Sequence, residues 1–143
     1  NRGNTYLIID EASLLPHLMH LQDALNFGRS LGVKVFAGLQ SISQLYDAYG
    51  EIKGKVIASG FMNSFCFQTW DLESRKFISE RFGLNYQSLL YMHSGQSIKI
   101  QREGCTVEDW DILELEVGEA FVNLAEDKPV RFKYKFQKFK TGN

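Results

Sequence analysis

No run in this chain constrains the fold more than Tyr6-Leu7-Ile8-Ile9, four apolar residues stopped by the adjacent carboxylates Asp10 and Glu11. Four apolar residues are too few for a helix, and with two of them β-branched they predict a short strand buried on both faces. Residues just past the carboxyl end of a central parallel strand line the crevice where ligands bind. Asp10 and Glu11 are therefore placed either to face a site or to cap the next helix. Downstream, Pro16 suits a first helical turn, Leu18, Leu21 and Leu25 recur on one face, and Gly32 can stop the helix after Leu31. Val33-Lys34-Val35-Phe36-Ala37-Gly38 then reads as a second strand. Strand, crossover helix of about sixteen residues and strand make a βαβ unit, which is right-handed almost without exception and leaves its strands parallel. Gln40 then ends beside Asp10, where its amide either joins the crevice or caps the following helix.

A hydrophobic strand ending in Asp-Glu is the Walker B pattern of nucleotide hydrolases. The chemistry needs both carboxylates: Mg²⁺ takes hard oxygen ligands, and a water attacking the γ-phosphate must be oriented or partly deprotonated. Arg29 follows from the same geometry. At about 1.5 Å per residue, a helix from Pro16 to Arg29 runs about 20 Å back toward the opposite edge of the sheet. Arg29 is then either a solvated residue or an arginine finger for a neighbouring subunit's site.

The 143 residues, 44% hydrophobic and 13% aromatic, suffice for one compact domain. A net charge of −1 gives no whole-chain sign of nucleic-acid or membrane-surface binding, so such a contact must be local. Cys66 and Cys105 lack metal-type spacing and read as free thiols. No apolar run approaches the length of a membrane span, and no signal peptide is present. The first residue, Asn1, stands a few positions before a buried strand, the expectation for a piece of a longer protein.

From Ser41 to Tyr49, with Ile42, Leu45 and Tyr49 at helical spacing, the pattern predicts a helix stopped by Gly50. Taken together, Ile9-Asp10-Glu11, Ala24-Leu25-Asn26-Phe27-Gly28-Arg29, Gly32-Val33, Gly38-Leu39-Gln40-Ser41-Ile42-Ser43-Gln44-Leu45 and Tyr49-Gly50 resemble the coupling proteins of bacterial conjugation and type IV secretion, the TraD/TraG family. Order, identity and spacing agree over these residues. A looser likeness runs through Asn63, Asp71-Leu72-Glu73-Ser74 and Gly83, and from about Thr106 to Phe121. The resemblance implies an α/β fold, part of a RecA-like P-loop NTPase domain, with a mostly parallel sheet flanked by helices and an antiparallel C-terminal extension. It implies a hexameric ATPase at the cytoplasmic face of the bacterial inner membrane, using ATP and Mg²⁺ and passing DNA, relaxosome or protein cargo to the secretion channel. On this sequence Asp10 would position Mg²⁺ through water, Glu11 would activate water, Gln40 would sense the γ-phosphate and Arg29 would be the finger given in trans.

No Gly-x-x-x-x-Gly-Lys-Ser/Thr loop occurs in the chain, and Gly50-Glu51-Ile52-Lys53-Gly54-Lys55 has the wrong order for one. Residues 1–143 are accordingly expected to be one partial domain, the C-terminal half of the nucleotide-binding domain, with the phosphate loop, all-helical domain and membrane anchor upstream. The remainder reads as a strand from Asn63 to Gln68, a helix capped by Asp71 and stopped by Gly83, and a strand over Gln96–Arg102. A short helix opened by Thr106 with Asp109 follows, and then two strands, Ala120–Leu124 and Val130–Phe136. Asn85–Ser94 shows no clean period. Arg75, Lys76 and Arg81 face solvent, a phosphate or another subunit. Arg131, Lys133 and Lys135 alternate with Phe132, Tyr134 and Phe136, ahead of Lys138 and Lys140, a pattern of single-stranded nucleic-acid binding or of a lysine-guarded edge strand over core aromatics. His17 and His20 lack a third metal ligand. Two other readings stay open: a different hexameric motor of the chromosome-translocase or archaeal end-resection type, and a non-catalytic interaction module.

Overall fold

The computed structural model describes residues 4–15, 18, 20–93, 95–125 and 128–135. Pro16, His17, Glu126, Asp127 and residues 136–143 lie outside them, and with them the expected proline start, one histidine of the pair, part of the last turn and the final lysines. The chain divides into two compact units at Ser64/Phe65.

In the first unit, β1 (Thr5–Ile9) pairs in parallel with β2 (Val33–Ala37), Thr5 opposite Val33 and Ile9 opposite Ala37. The expected strand pair and its direction are therefore present. Burial on both faces is not: only Ile9 of β1 is buried, whereas Tyr6 is 56% and Ile8 76% exposed. This sheet has two strands, so most of β1 is left uncovered. Among the described residues the expected long crossover helix is not continuous. In its place stand a 3-10 turn over Ala12–Leu14, α1 (Leu21–Asn26) and a second 3-10 turn over Gly28–Leu31. Gly28 explains the second break. It is buried so close to β2 that an added Cβ would lie 3.0 Å from Val33 Cβ, and the backbone bends to make that approach. Gly32, at φ 83°, ends the crossover in the left-handed conformation glycine permits.

α2 (Ile42–Tyr49) opens on Ser41, whose Oγ accepts from Gln44 N at 3.2 Å, and ends at Gly50. α3 (Glu51–Gly60) occupies the glycine-lysine segment and packs on α1 and α2, with Gly54 against the Tyr46 ring. Ile42, Leu45, Ile57 and Ala58 are buried in this unit.

In the second unit, β3 (Ser64–Cys66), which straddles the division, lies beside β6 (Glu119–Asn123), and β6 pairs antiparallel with the edge strand β7 (Val130–Lys133). α4 (Leu72–Phe82) is capped by Asp71, which accepts from Ser74 N at 2.9 Å. β4 (Leu84–His93) and β5 (Gln96–Cys105) form an antiparallel hairpin of ten-residue strands. Tyr86 and Met92 on one face are 74% and 76% exposed, and Tyr91 on the other is exposed too, which is why β4 has no period of two to read. Its base is fastened by Glu108, whose Oε1 accepts from Cys105 N at 3.1 Å and Gln87 Nε2 at 3.3 Å. Glu108, not Thr106, is the cap residue of α5 (Asp109–Leu113), and its N–H donates to Asp111 Oδ2 at 2.9 Å. Thr106 is otherwise engaged, donating its N–H to Gly83 O at 2.8 Å. Ile78, Phe82, Val107, Ile112, Leu115 and Phe121 make the core.

The charges on β7 are neutralised locally. Arg131 Nη2 meets Glu119 Oε2 at 2.7 Å, and Lys133 Nζ meets Glu116 Oε2 at 2.6 Å. Phe132 and Tyr134 are exposed, not core. On α4, Arg75 donates to Asp109 at 2.6 Å, Lys76 bonds Glu73, and Arg81 stacks over Phe77. No helix among the described residues is long and apolar enough to cross a membrane.

Ile112 is wholly buried, so Ile112→Ala should cost about 2–5 kcal/mol in urea denaturation. Ile52→Ala, at a residue left open to solvent on α3, should stay within about 0.5 kcal/mol. The Glu119 carboxyl is pushed down from 4.5 to about 2, first by the Glu116 N–H and then by Arg131. A carboxyl depressed on folding stabilises the protein above its unfolded value and loses that contribution as pH falls through the folded one. Thermal melts of the wild type should therefore weaken as pH drops from 4.5 toward about 2, and those of Glu119→Gln should change less over that window.

Candidate functional site

The two carboxylates lie on a segment bracketed by a single residue of the neighbouring strand. Gly38 N donates to Ile9 O at 2.8 Å, and Ala12 N donates to Gly38 O at 3.0 Å. Asp10 and Glu11 are the two residues between those bonds. The bracket closes only because position 38 has no side chain: an added Cβ would stand 2.2 Å from Asp10 O. Gln40 follows two residues on, immediately before the Ser41 cap, so Gln40 does not cap α2. Asp10 and Gln40 are exposed and Glu11 is partly buried. The strand register thus brings Asp10, Glu11 and the Gly38–Gln40 exit together at the carboxyl ends of a parallel pair.

Glu11 also caps a helical turn. Its Oε1 accepts from Ser13 Oγ at 2.6 Å and from Ser13 N at 3.4 Å, which opens the 3-10 turn over Ala12–Leu14. Ser13 Oγ lies 3.4 Å from Gln44 Oε1 on α2, and Tyr49 at the other end of α2 donates its hydroxyl to Leu15 O. Burial pushes the Tyr49 phenol up. Neither Ser13 nor Gln44 is among the candidate site residues read from sequence. The signal available was a hydroxyl two positions after a carboxylate, a common local capping pattern.

Arg29 stands apart. It lies in the second 3-10 turn, before the start of β2, with its guanidinium against Met62 Sδ. A strand rises about 3.3 Å per residue, so the four steps of β2 from Val33 to Ala37 alone put about 13 Å between this end and the one that leads into Gly38. The helix whose length first excluded Arg29 from its own site is broken, yet Arg29 remains at the opposite end of the strand pair. His20 bonds Asp23 at 2.9 Å, and no group of three or more His, Cys, Asp or Glu able to hold a metal exists among the described residues. Carboxylate oxygens at Asp10 nevertheless suit Mg²⁺, which is commonly held by one or two carboxylates with substrate phosphates and water.

Gly38→Ala should shift the Asp10 backbone and destabilise the first unit by about 1–3 kcal/mol. Amide hydrogen exchange should locate the damage, with the Ala12 N–H exchanging faster than in the wild type while the second unit keeps its protection.

A profile described as the type IV secretion-system coupling protein DNA-binding domain matches residues 1–130. No curated protein sequence matches the chain. Among solved structures, the unbound monoclinic form of the bacterial conjugative coupling protein TrwBdeltaN70 is similar with a TM-score of 0.84 and 26% identity, covering 95% of this chain and 33% of that one. The plasmid coupling protein TrwB in complex with the non-hydrolysable GTP analogue GDPNP gives 0.78 and 26%, covering 95% and 32%. TrwB in complex with ADP and Mg²⁺ gives 0.78 and 25%, covering 98% and 32%. The chain spans about a third of the length of these structures. With its α/β architecture and a family profile over most of its length, the chain belongs to the type IV secretion-system coupling proteins.

Proposed function

We propose that residues 1–143 are the C-terminal half of a RecA-like nucleotide-binding domain in a hexameric coupling-protein ATPase, and that the phosphate loop it works with lies outside these residues. The observation that carries this reading is the Gly38 bracket, which holds an Asp-Glu pair and a following glutamine at one end of a parallel strand pair. Nucleotide and Mg²⁺ in the TrwB complexes support ATP and Mg²⁺ as its ligands. Bound Mg²⁺ would screen the charge of the β- and γ-phosphates. Asp10 would hold it, directly or through water. Glu11 orients and partly deprotonates the attacking water, and Gln40 contacts the γ-phosphate. Arg29, at the far end of the strands, serves the neighbouring subunit's site as its finger.

In this reading the motor works at the cytoplasmic face of the inner membrane and passes DNA with its relaxosome, or protein cargo, to the secretion channel. The DNA-binding description of the family supports DNA as a partner. The exposed faces of β1 suit a strand assignment inside a larger sheet, whose other strands would come from the same half that holds the phosphate loop.

The isolated chain should hydrolyse ATP no faster than a control lacking both carboxylates. In the intact protein, Glu11→Gln and Arg29→Ala should each abolish turnover while sparing ATP binding. Mixing the two variants should restore part of it, because an Arg29→Ala subunit keeps a working Glu11 and receives a finger from its neighbour. Mixed hexamers as inactive as either parent would exclude Arg29 as a finger in trans.

A further inference from the structure

We propose that Ser13 is a positioning residue for the Glu11 carboxylate and that Gln44 of α2 holds Ser13 in turn; this rests on the reading of Glu11 as the group that orients water. Both Ser13 contacts go to the same carboxylate oxygen, Oε1, and the 2.6 Å hydroxyl contact has the short length of a charge-assisted bond. A carboxylate pinned through one oxygen presents the other in a defined direction. Without the pin, a glutamate with three rotatable bonds spreads over many rotamers, and only some of them aim at the water.

A serine hydroxyl has one proton and two lone pairs. With the proton committed to Glu11, the Ser13 oxygen is left to accept. The Gln44 amide 3.4 Å away completes the chain when its nitrogen is the end facing Ser13, an exchange of two nearly isosteric atoms. The relay then runs in one direction, from Gln44 N–H to Ser13 O–H to the Glu11 carboxylate. It ends on the helix whose cap directly follows Gln40. The water-orienting group and the γ-phosphate contact are thereby tied to the same first turn of α2.

Ser13 is not what holds the fold here. Ala12 is buried and its N–H bonds Gly38, and Leu15 is tied to Tyr49, so the turn is fastened on either side of Ser13 without its hydroxyl. Removing the hydroxyl should act on the carboxylate's aim and not on nucleotide affinity.

The test is steady-state ATP hydrolysis by the intact coupling protein. Ser13→Ala should lower kcat about tenfold with KM for ATP unchanged, because loss of aim acts on the chemical step. Ser13→Thr, which keeps the hydroxyl, should return kcat to within about twofold of wild type. Gln44→Ala, at an exposed position, should lower kcat about threefold by loosening Ser13. Glu11→Gln is run beside them. If it stays active, the reading of Glu11 itself fails, and the positioning role with it. If Glu11→Gln is inactive, the positioning role alone is overturned by a wild-type kcat in Ser13→Ala and Gln44→Ala, by a loss expressed in KM, or by a threonine variant no better than alanine.

Discussion

Gly38 hydrogen-bonds to both ends of the segment that carries Asp10 and Glu11, and most of the first unit depends on that double contact. The bonds extend the parallel register of β1 and β2 one residue past the strands, so the acidic pair leaves the sheet at a fixed height. Gln40 is then two residues from the bracket and Ser41 three, which sets where α2 begins. Each backbone bond contributes only about 0.5–1.5 kcal/mol net. Their value lies in geometry: the approach is so close that no side chain fits at position 38, and the carboxylate segment has little room to move.

The elements that could be read from the sequence are those whose signals are local. Ser41 and Asp71 accept from backbone N–H groups three residues on, and Gly32, Gly50 and Gly83 stop their helices at positive φ. The β-branched runs at Ile8-Ile9 and Val33–Val35 became strands, and the parallel direction followed from the crossover rule. What could not be read depends on contacts distant in sequence. The crossover helix breaks where Gly28 meets Val33, and periodicity in Leu18, Leu21 and Leu25 carries no trace of that contact. β4 escaped notice because the hairpin is exposed on both faces, so no alternation marks it. α5 is capped at Glu108, whose side chain also fastens the hairpin base.

The candidate site divides in the same way. That Asp10, Glu11 and Gln40 lie at one end of the strand pair was legible because residue type and strand order place them there. Ser13 and Gln44 were not, because their contact is a hydroxyl meeting an amide 31 residues later. Electrostatics bears on part of the other suggestion. The basic and aromatic alternation of β7 read as a possible nucleic-acid surface, yet Glu116 and Glu119 take up Arg131 and Lys133. The strand therefore presents little uncompensated charge to a phosphate backbone, whatever its exposed aromatic rings meet.

The bracket around Asp10 and Glu11 is built from main-chain atoms on both sides. A peptide group offers the same N–H and C=O whatever side chain it carries, proline excepted. Ile9 and Ala12 can thus drift in identity, within the limits of packing, without altering the height at which the carboxylates emerge. Only the glycine is irreplaceable. A scaffold of this kind can hold its backbone geometry through divergence of side chains, and this chain, at 26% identity, is similar to the TrwB structure with a TM-score of 0.84.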